Sequence, residues 1–302
     1  MAFLGIEQSL SGRRWIGPDA ALERLAEGLA QKSALPLAVA RVLAERGIEA
    51  GAHEAFLTPR LRDLLPDPLT LRDMETAAER IVAAAVGGQR IAIFADYDVD
   101  GGTSAALLLD WLRRQGRDAT LYVPDRIDEG YGPNAPAIEA LAAAHDLIIC
   151  VDCGTLSHDA LAAAGRRDGI VLDHHLGGET LPPALAVVNP NRADEDGSLG
   201  HLCAAGVVFL TLVQAGRVLR RMGRPEPDLL SMLDLVALAT VADVAPLVGV
   251  NRAFVRTGLA IMARRQRPGL VALSDVARLD GPPNSFHLGF LLGPRINAGG
   301  RV

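Results

Sequence analysis

The chain has three cysteines, Cys150, Cys153 and Cys203, which cannot all pair and give no framework of the kind that staples small secreted domains. Cys150 and Cys153 spell CxxC, but no second CxxC completes a zinc site and Cys150 falls inside the apolar run 147–151, so reduced, packed cysteines are expected. An unbroken membrane span is also missing, because the longest apolar stretch, 233–250, is interrupted by Asp234 and Asp243. The N-terminus MAFLGIEQSLSGRRW lacks the continuous apolar core of a signal peptide, so a cytoplasmic location without membrane contact is expected. Net positive charge is absent too. At −6 the chain exerts no broad attraction on nucleic acid, so such a partner must meet local basic patches or bound metal. Gly101-Gly102-Thr103-Ser104 is no phosphate-cradling GxxxxGK[ST] loop, since both the spacing and the lysine are wanting. There is no internal repeat and no low-complexity tract. What remains is 302 residues with 49% hydrophobic content, enough for one large domain or two ordinary ones with a sizeable core.

Apolar runs at 91–95, 119–123, 147–151, 169–172 and 186–188 read as strands, and helical patterns at 103–115, 136–144 and 158–164 fall between them. Gly116 stands where a helix-ending glycine belongs. Strand and helix in alternation imply right-handed crossovers, so the expected fold class is α/β, a doubly wound, mainly parallel sheet with helices on both faces. An N-terminal helical arm over 1–75 precedes this domain at 76–248. A helical C-terminal part follows over 249–302, where 251–265 reads as a connector whose Phe254, Leu259 and Ile261 seek a partner surface or pack on their own domain.

Asp96, Asp98 and Asp100 crowd the end of the first strand. Carboxylates about 4 Å apart repel by roughly 4 kcal/mol per pair at an effective dielectric of 20, so three in five residues call for a cation. In a doubly wound sheet, groups just after the carboxyl ends of strands share one crevice. Asp96 follows 91–95, Asp152 follows 147–151, and Asp173, His174 and His175 follow 169–172. Asp243, in the apolar run VALATVADVAPL, is a buried charge in need of the same cation or of donors. Each has a plainer reading, as a turn residue, a core histidine or a helix end, but the convergence of all of them favours a divalent metal site.

Asp96-Tyr97-Asp98-Val99-Asp100-Gly101, Val151-Asp152-Cys153-Gly154, Asp173-His174-His175 and Ala242-Asp243 resemble, in order and spacing, the four successive motifs of the DHH phosphoesterase superfamily. GYGPN at 130–134, VNPN at 188–191, ATVADVAPL at 239–247 and GPRINAGGR at 293–301 are similar to its single-strand-specific exonuclease branch, which serves bacterial DNA repair and recombination. The resemblance spans roughly residues 40 to 302. It implies metal ligands at Asp98, Asp100, Asp152, His174 and Asp243, completed by Asp96 and His175, and catalytic roles for Asp100, Asp173 and His175. His175 either orients the scissile phosphate or relays its proton, or else makes a supporting hydrogen bond.

The implied activity is metal-dependent hydrolysis of single-stranded DNA from 5′ to 3′, with two Mn²⁺ ions, Mg²⁺ being the alternative. Imidazole among the ligands favours manganese, whereas an all-oxygen shell suits magnesium. A monomer is expected, with single-strand-binding protein and a helicase as partners, and with a DHHA1-type domain and an oligonucleotide-binding fold following in the family. Arg126 and Arg295, with Asn297 beside them, are expected to hold the strand end, since a guanidinium fork suits a terminal phosphate. The plainer alternative pairs Arg126 with Asp125, Asp128 or Glu129 and has Arg295 brace a loop. Two departures stand out, Cys153 in place of an asparagine and an ending at Val302 ahead of those later domains, from which an N-terminal portion is expected; Phe94 stands where small-substrate phosphatases of the superfamily carry histidine, which disfavours them. Such a phosphatase or oligoribonuclease, and an inactive DNA-binding scaffold, are the rival readings.

Overall fold

Ile91–Ala95 is buried along its whole length, which only a strand covered on both faces allows. This strand, β1, lies in a sheet with β2 (Thr120–Tyr122), β3 (Leu147–Val151), β4 (Asp168–Leu172) and β5 (Ala186–Val188). Every pairing is parallel and the order is β2-β1-β3-β4-β5. The computed structural model describes residues 2–49 and 51–300. It divides into two compact units, the first ending at Arg60 and the second beginning at Leu61. The first holds α1 (Ala20–Ser33), α2 (Leu37–Glu45) and α3 (His53–Leu57) around a small core of Ala26, Leu29, Ala40 and Leu43. No helix among the described residues is long and apolar enough to cross a membrane.

The second unit carries α4 (Leu61–Leu64), α5 (Met74–Gly87), α6 (Val99–Arg114), α7 (Ala135–Ala144), α8 (His158–Ala162), α9 (Ala204–Arg221), α10 (Leu233–Ala242), α11 (Gly249–Met262), α12 (Pro268–Val276), α13 (Ser285–His287) and α14 (Gly293–Gly299). Ile91, Ile93 and Ala95 face a core shared with α5, α6, α9 and α10, whereas Ala92 and Phe94 face α7 and α8. The sheet is therefore covered on both sides, as expected. From β1 the chain goes to β2 on one flank and then to β3 on the other, so the connections reverse direction between β1 and β3. That is where a doubly wound sheet opens its crevice.

The register sets the contents of this crevice. Ala95 pairs with Val151, Val151 with Leu172, and Leu172 with Val188, so the next residues, Asp96, Asp152, Asp173 and Asn189, stand in one row across four strands. Their backbones continue the ladder, with the amides of Asp96, Asp152 and Asp173 donating to Val151, Leu172 and Val188 at 3.3, 3.0 and 3.1 Å.

One expectation needs correction, and one open alternative is decided. Helix α6 begins at Val99 rather than at 103, because Asp98 caps it by accepting the amides of Asp100 and Gly101 at 2.8 and 3.0 Å. The acids thus belong to a cap and a first helical turn. Of the two readings of 251–265, packing on its own domain is the observed one: Phe254 is fully buried, edge-on to Phe209 at 5.3 Å, and Leu259 and Ile261 pack on the same core.

Gly101 lets the cap form. A Cβ there would stand 2.3 Å from the Asp96 carbonyl oxygen, so Gly101→Ala must push α6 away from β1. We expect a loss of about 1–3 kcal/mol in urea unfolding together with weakened divalent-metal affinity by calorimetry. Unchanged values for both would contradict the close packing.

Candidate metal centre

Asp152 leaves β3 with φ of 58°, a left-handed backbone that aspartate tolerates better than most residues and that costs on the order of 1 kcal/mol. The turn carries its carboxylate toward the imidazole of His174, whose Nε2 lies 3.3 Å from Asp152 Oδ1, 3.7 Å from Asp100 Oδ2 and 3.9 Å from Asp243 Oδ2. Three overlapping sets of side chains can each surround a divalent ion: Asp152, His174 and His175; Asp100, His174 and Asp243; and Asp96, Asp98 and Asp152. All the expected metal-ligand positions come together here. Oδ1 of Asp96 and Oδ1 of Asp152 are buried without a hydrogen-bond donor. Orphaned carboxylate oxygens among imidazoles fit a cation and little else.

The acids resist ionisation without one. Burial and the nearby Asp98 push Asp96 up to about 6 and Asp243 likewise to about 6. Burial and Asp243 push Asp100 up to about 7, although the first amides of α9 partly offset this. Those amides, of Ala204 and Ala205, donate to Asp100 at 2.6 and 2.8 Å, so the positive end of an 18-residue helix points at this carboxylate. Asp152 is raised by burial and by Asp100. His174 is lowered, chiefly by burial, which favours the neutral, metal-binding imidazole.

Asp173 plays a different part from the other acids. Its Oδ1 accepts the amides of His174 and His175 at 2.7 and 3.2 Å and lies 2.8 Å from His175 Nδ1, while Oδ2 accepts the Thr155 amide at 3.1 Å. Burial alone would raise it, but the His175 and Thr155 bonds win and hold it well below the usual carboxylate range. A carboxylate so engaged orients His175 rather than meeting substrate, and Asp173 raises the pKa of His175 in return.

The sequence pattern pointed to no supporting role for Asn189, Asn191 or Tyr131. Asn189 donates to Thr155 Oγ1 and to the His175 carbonyl, both at 2.8 Å, and Asn191 donates to the His174 carbonyl. VNPN therefore fixes the backbone of both histidines, and its place directly after a strand was the available signal. Tyr131 from GYGPN puts its hydroxyl 3.2 Å from His175 Nε2.

Among the expected strand-end residues, Arg126 lies over the Tyr97 ring, 5.2 Å from its centroid. Two of its three suggested alternative partners are engaged elsewhere: Asp125 accepts the amides of Ile127 and Asp128, and Glu129 holds Tyr122 and Asn134. Arg126 and Tyr97 line a cavity of about 390 Å³ with Gly299 and Gly300. A larger cavity, about 500 Å³ around Arg114, Arg267 and Leu270, contains none of the row residues. Arg295 bonds the Leu291 carbonyl at 2.8 Å. Asn297 Oδ1 accepts the Val99 amide at 3.0 Å, so this residue braces the start of α6. A Cβ at Gly300 would meet the Tyr97 carbonyl oxygen at 2.4 Å, which shows how tightly GPRINAGG seats against DYD.

Comparison with known proteins gives these observations a family. The chain is 41% identical over 281 residues to the single-stranded-DNA-specific exonuclease RecJ of Dickeya dadantii, covering 89% of this chain and 48% of that protein. The structure of RecJ from Thermus thermophilus in complex with Mn²⁺ matches with a TM-score of 0.75 at 32% identity, over 94% of this chain and 39% of the other. The Mg²⁺ complex of RecJ from the same organism matches at 0.63 and 30% identity, over 94% and 36%. The chain spans about half the length of the curated relatives it matches. The profile described as "DHH family, N-terminal domain" matches residues 90–240, from the edge of β1 into α10. Since that match takes in the row of acids and both histidines, the chain belongs to the DHH family.

Proposed function

We propose that this chain is the catalytic part of a metal-dependent phosphodiesterase that removes nucleotides from the 5′ end of single-stranded DNA. The observation that carries this reading is the row of polar residues at four strand ends, with His174 and Asp243 closing over it. The substrate class rests on the relatives' activity. Asp96, Asp98, Asp100, Asp152, His174 and Asp243 would hold two divalent ions, Mn²⁺ by preference for the imidazole and Mg²⁺ in its place. Bound there, such ions supply Lewis-acid polarisation of the diester and acidify a water.

The protein's own groups then orient and move protons. Because a carboxylate cannot donate, Nδ1–H of His175 donates to Asp173, which leaves Nε2, 3.2 Å from the Tyr131 hydroxyl, as the nitrogen able to exchange a proton with substrate. With its pKa raised, His175 can present a proton there to a phosphate or leaving oxygen. Phe94, at the position where small-substrate phosphatases carry histidine, is fully buried and stacks on Tyr122 at 5.2 Å in the core against α7 and α8, which argues against that rival.

The test is digestion of 5′- and 3′-labelled single- and double-stranded oligonucleotides with Mn²⁺ or Mg²⁺. Label released as mononucleotide from the 5′ end of single strands supports the reading; attack from the 3′ end, or equal attack on duplex, refutes it. Arg126→Ala should shrink the advantage of a 5′-phosphorylated strand over its 5′-hydroxyl form about tenfold, the worth of one charge-assisted phosphate contact. Arg295→Ala should cost less, because Arg295 already bonds Leu291. An intact preference in Arg126→Ala would remove Arg126 from this role.

A further inference from the structure

The rim beside His175 is apolar where a purely backbone-binding protein would be cationic. Tyr131 is 56% exposed, Leu156 60% and Leu176 79%. Leu176 directly follows His175, and Leu156 directly follows Thr155, whose amide donates to Asp173. The loop after Leu176 returns to Leu156, for a Cβ at Gly178 would stand 3.4 Å from its Cδ2. The Tyr131 ring stands nearly perpendicular to His175, centroids 5.9 Å apart, and at 6.4 Å from Tyr97 in the same manner. Its hydroxyl, held between His175 Nε2 at 3.2 Å and the Asp152 carbonyl at 3.3 Å, fixes the ring while leaving much of it in solvent.

Phosphate and sugar gain nothing from three exposed apolar side chains, whereas a nucleobase does, since every base offers a π-face to an aromatic ring. A fixed ring loses little freedom on contact, which favours a prebuilt platform. In a duplex each base is paired to the opposite strand, and every base but the outermost is covered on both faces by its neighbours. Only an unstacked base can lie on such a surface while its phosphate enters the crevice. With a net charge of −6, general electrostatic attraction does not substitute for this contact.

Building on the phosphodiesterase reading, we infer that Tyr131, flanked by Leu156 and Leu176, is the surface that receives the unpaired base adjoining the scissile phosphate, and that this contact selects single strands. The test compares kcat/KM on a 5′-phosphorylated single strand with that on the same strand carrying abasic tetrahydrofuran residues at its first positions, both with Mn²⁺, in the full chain. The ratio of the two should exceed one in the wild type, stay near its wild-type value in Tyr131→Phe, and fall about tenfold in Tyr131→Ala, mainly through KM. In Leu176→Ser, at a position too exposed to endanger folding, it should fall a few-fold.

If Tyr131→Ala slows both strands equally, the residue merely holds His175 and the inference is overturned. It fails equally if Tyr131→Phe lowers the ratio as far as Tyr131→Ala, because the hydroxyl would then be the active part. A wild type that cleaves neither strand overturns the phosphodiesterase reading itself. One that cleaves both strands with equal efficiency leaves that reading standing and removes the platform alone.

Discussion

Asp152→Asn should lower Mn²⁺-dependent hydrolysis by at least about 10³-fold, roughly 4 kcal/mol of transition-state stabilisation, while making the metal-free protein more stable. Asp152 belongs to two of the three sets of side chains able to surround an ion, and its Oδ1 is buried without a donor. Asparagine keeps the shape and tolerates the left-handed backbone, so the change isolates the charge. Removal of a buried ionisable group, and of its repulsion with Asp100, should raise the melting temperature measured in EDTA by about 2–4 °C, the shift that about 1 kcal/mol produces in a domain of this size. Asp100→Asn should be equally inactive but not stabilised. Both oxygens of Asp100 accept amides from α9, and an asparagine has a single acceptor oxygen to offer them. Retention of wild-type activity in Asp152→Asn would end the metal assignment.

Removal of metal should also invert the usual pH dependence of a carboxylate-rich protein. Asp100 is raised to about 7, and Asp96 and Asp243 to about 6, against the ordinary 3.8 that each regains on unfolding. Groups raised on folding contribute their stability below the unfolded pKa and lose it as pH climbs through the folded one. The window is therefore about pH 4 to 7. Between pH 5 and pH 8 the metal-free protein should lose at least on the order of 3 kcal/mol, through Asp100 and the likewise raised Asp152, with Asp96 and Asp243 discounted for solvent screening. His175, raised by Asp173, acts in the same direction, and His174, lowered by burial, opposes it. Saturating Mn²⁺ should flatten or reverse the slope, since ions replace protons on the same oxygens. Urea unfolding in EDTA across this range decides the matter, and stability that rises with pH there would show that the cluster is already neutralised.

Sequence alone was enough for β1, β3 and β5, because strands buried on both faces read as unbroken apolar runs between breakers. It was enough for the acids and imidazoles as well, since parallel strands deliver whatever follows them to one edge. The start of α6 was hidden. Gly101 and Gly102 look like loop, and what makes them helical is the Asp98 cap, with Asn297 bracing the same turn across 198 residues of sequence. The separate role of Asp173 was hidden for a related reason, because neither its neighbours nor its spacing reveal that His175 and Thr155 consume its oxygens. Phe254 read as a candidate for an outside partner because periodicity defines an apolar face without saying what covers it.

The row of Asp96, Asp152 and Asp173 is spaced by the sheet itself, at the pitch of about 4.8 Å that backbone hydrogen bonding imposes on neighbouring strands. Side-chain replacement cannot retune that pitch, and a one-residue slip would turn each acid to the opposite face. The residues proposed to meet the rest of a substrate, Arg126, Tyr131, Leu156 and Leu176, stand on connecting loops free of this constraint. Descendants of such a chain can therefore lengthen, shorten or exchange those loops, and so wander among nucleic acids and smaller phosphate esters, while the ruler beneath keeps its graduations.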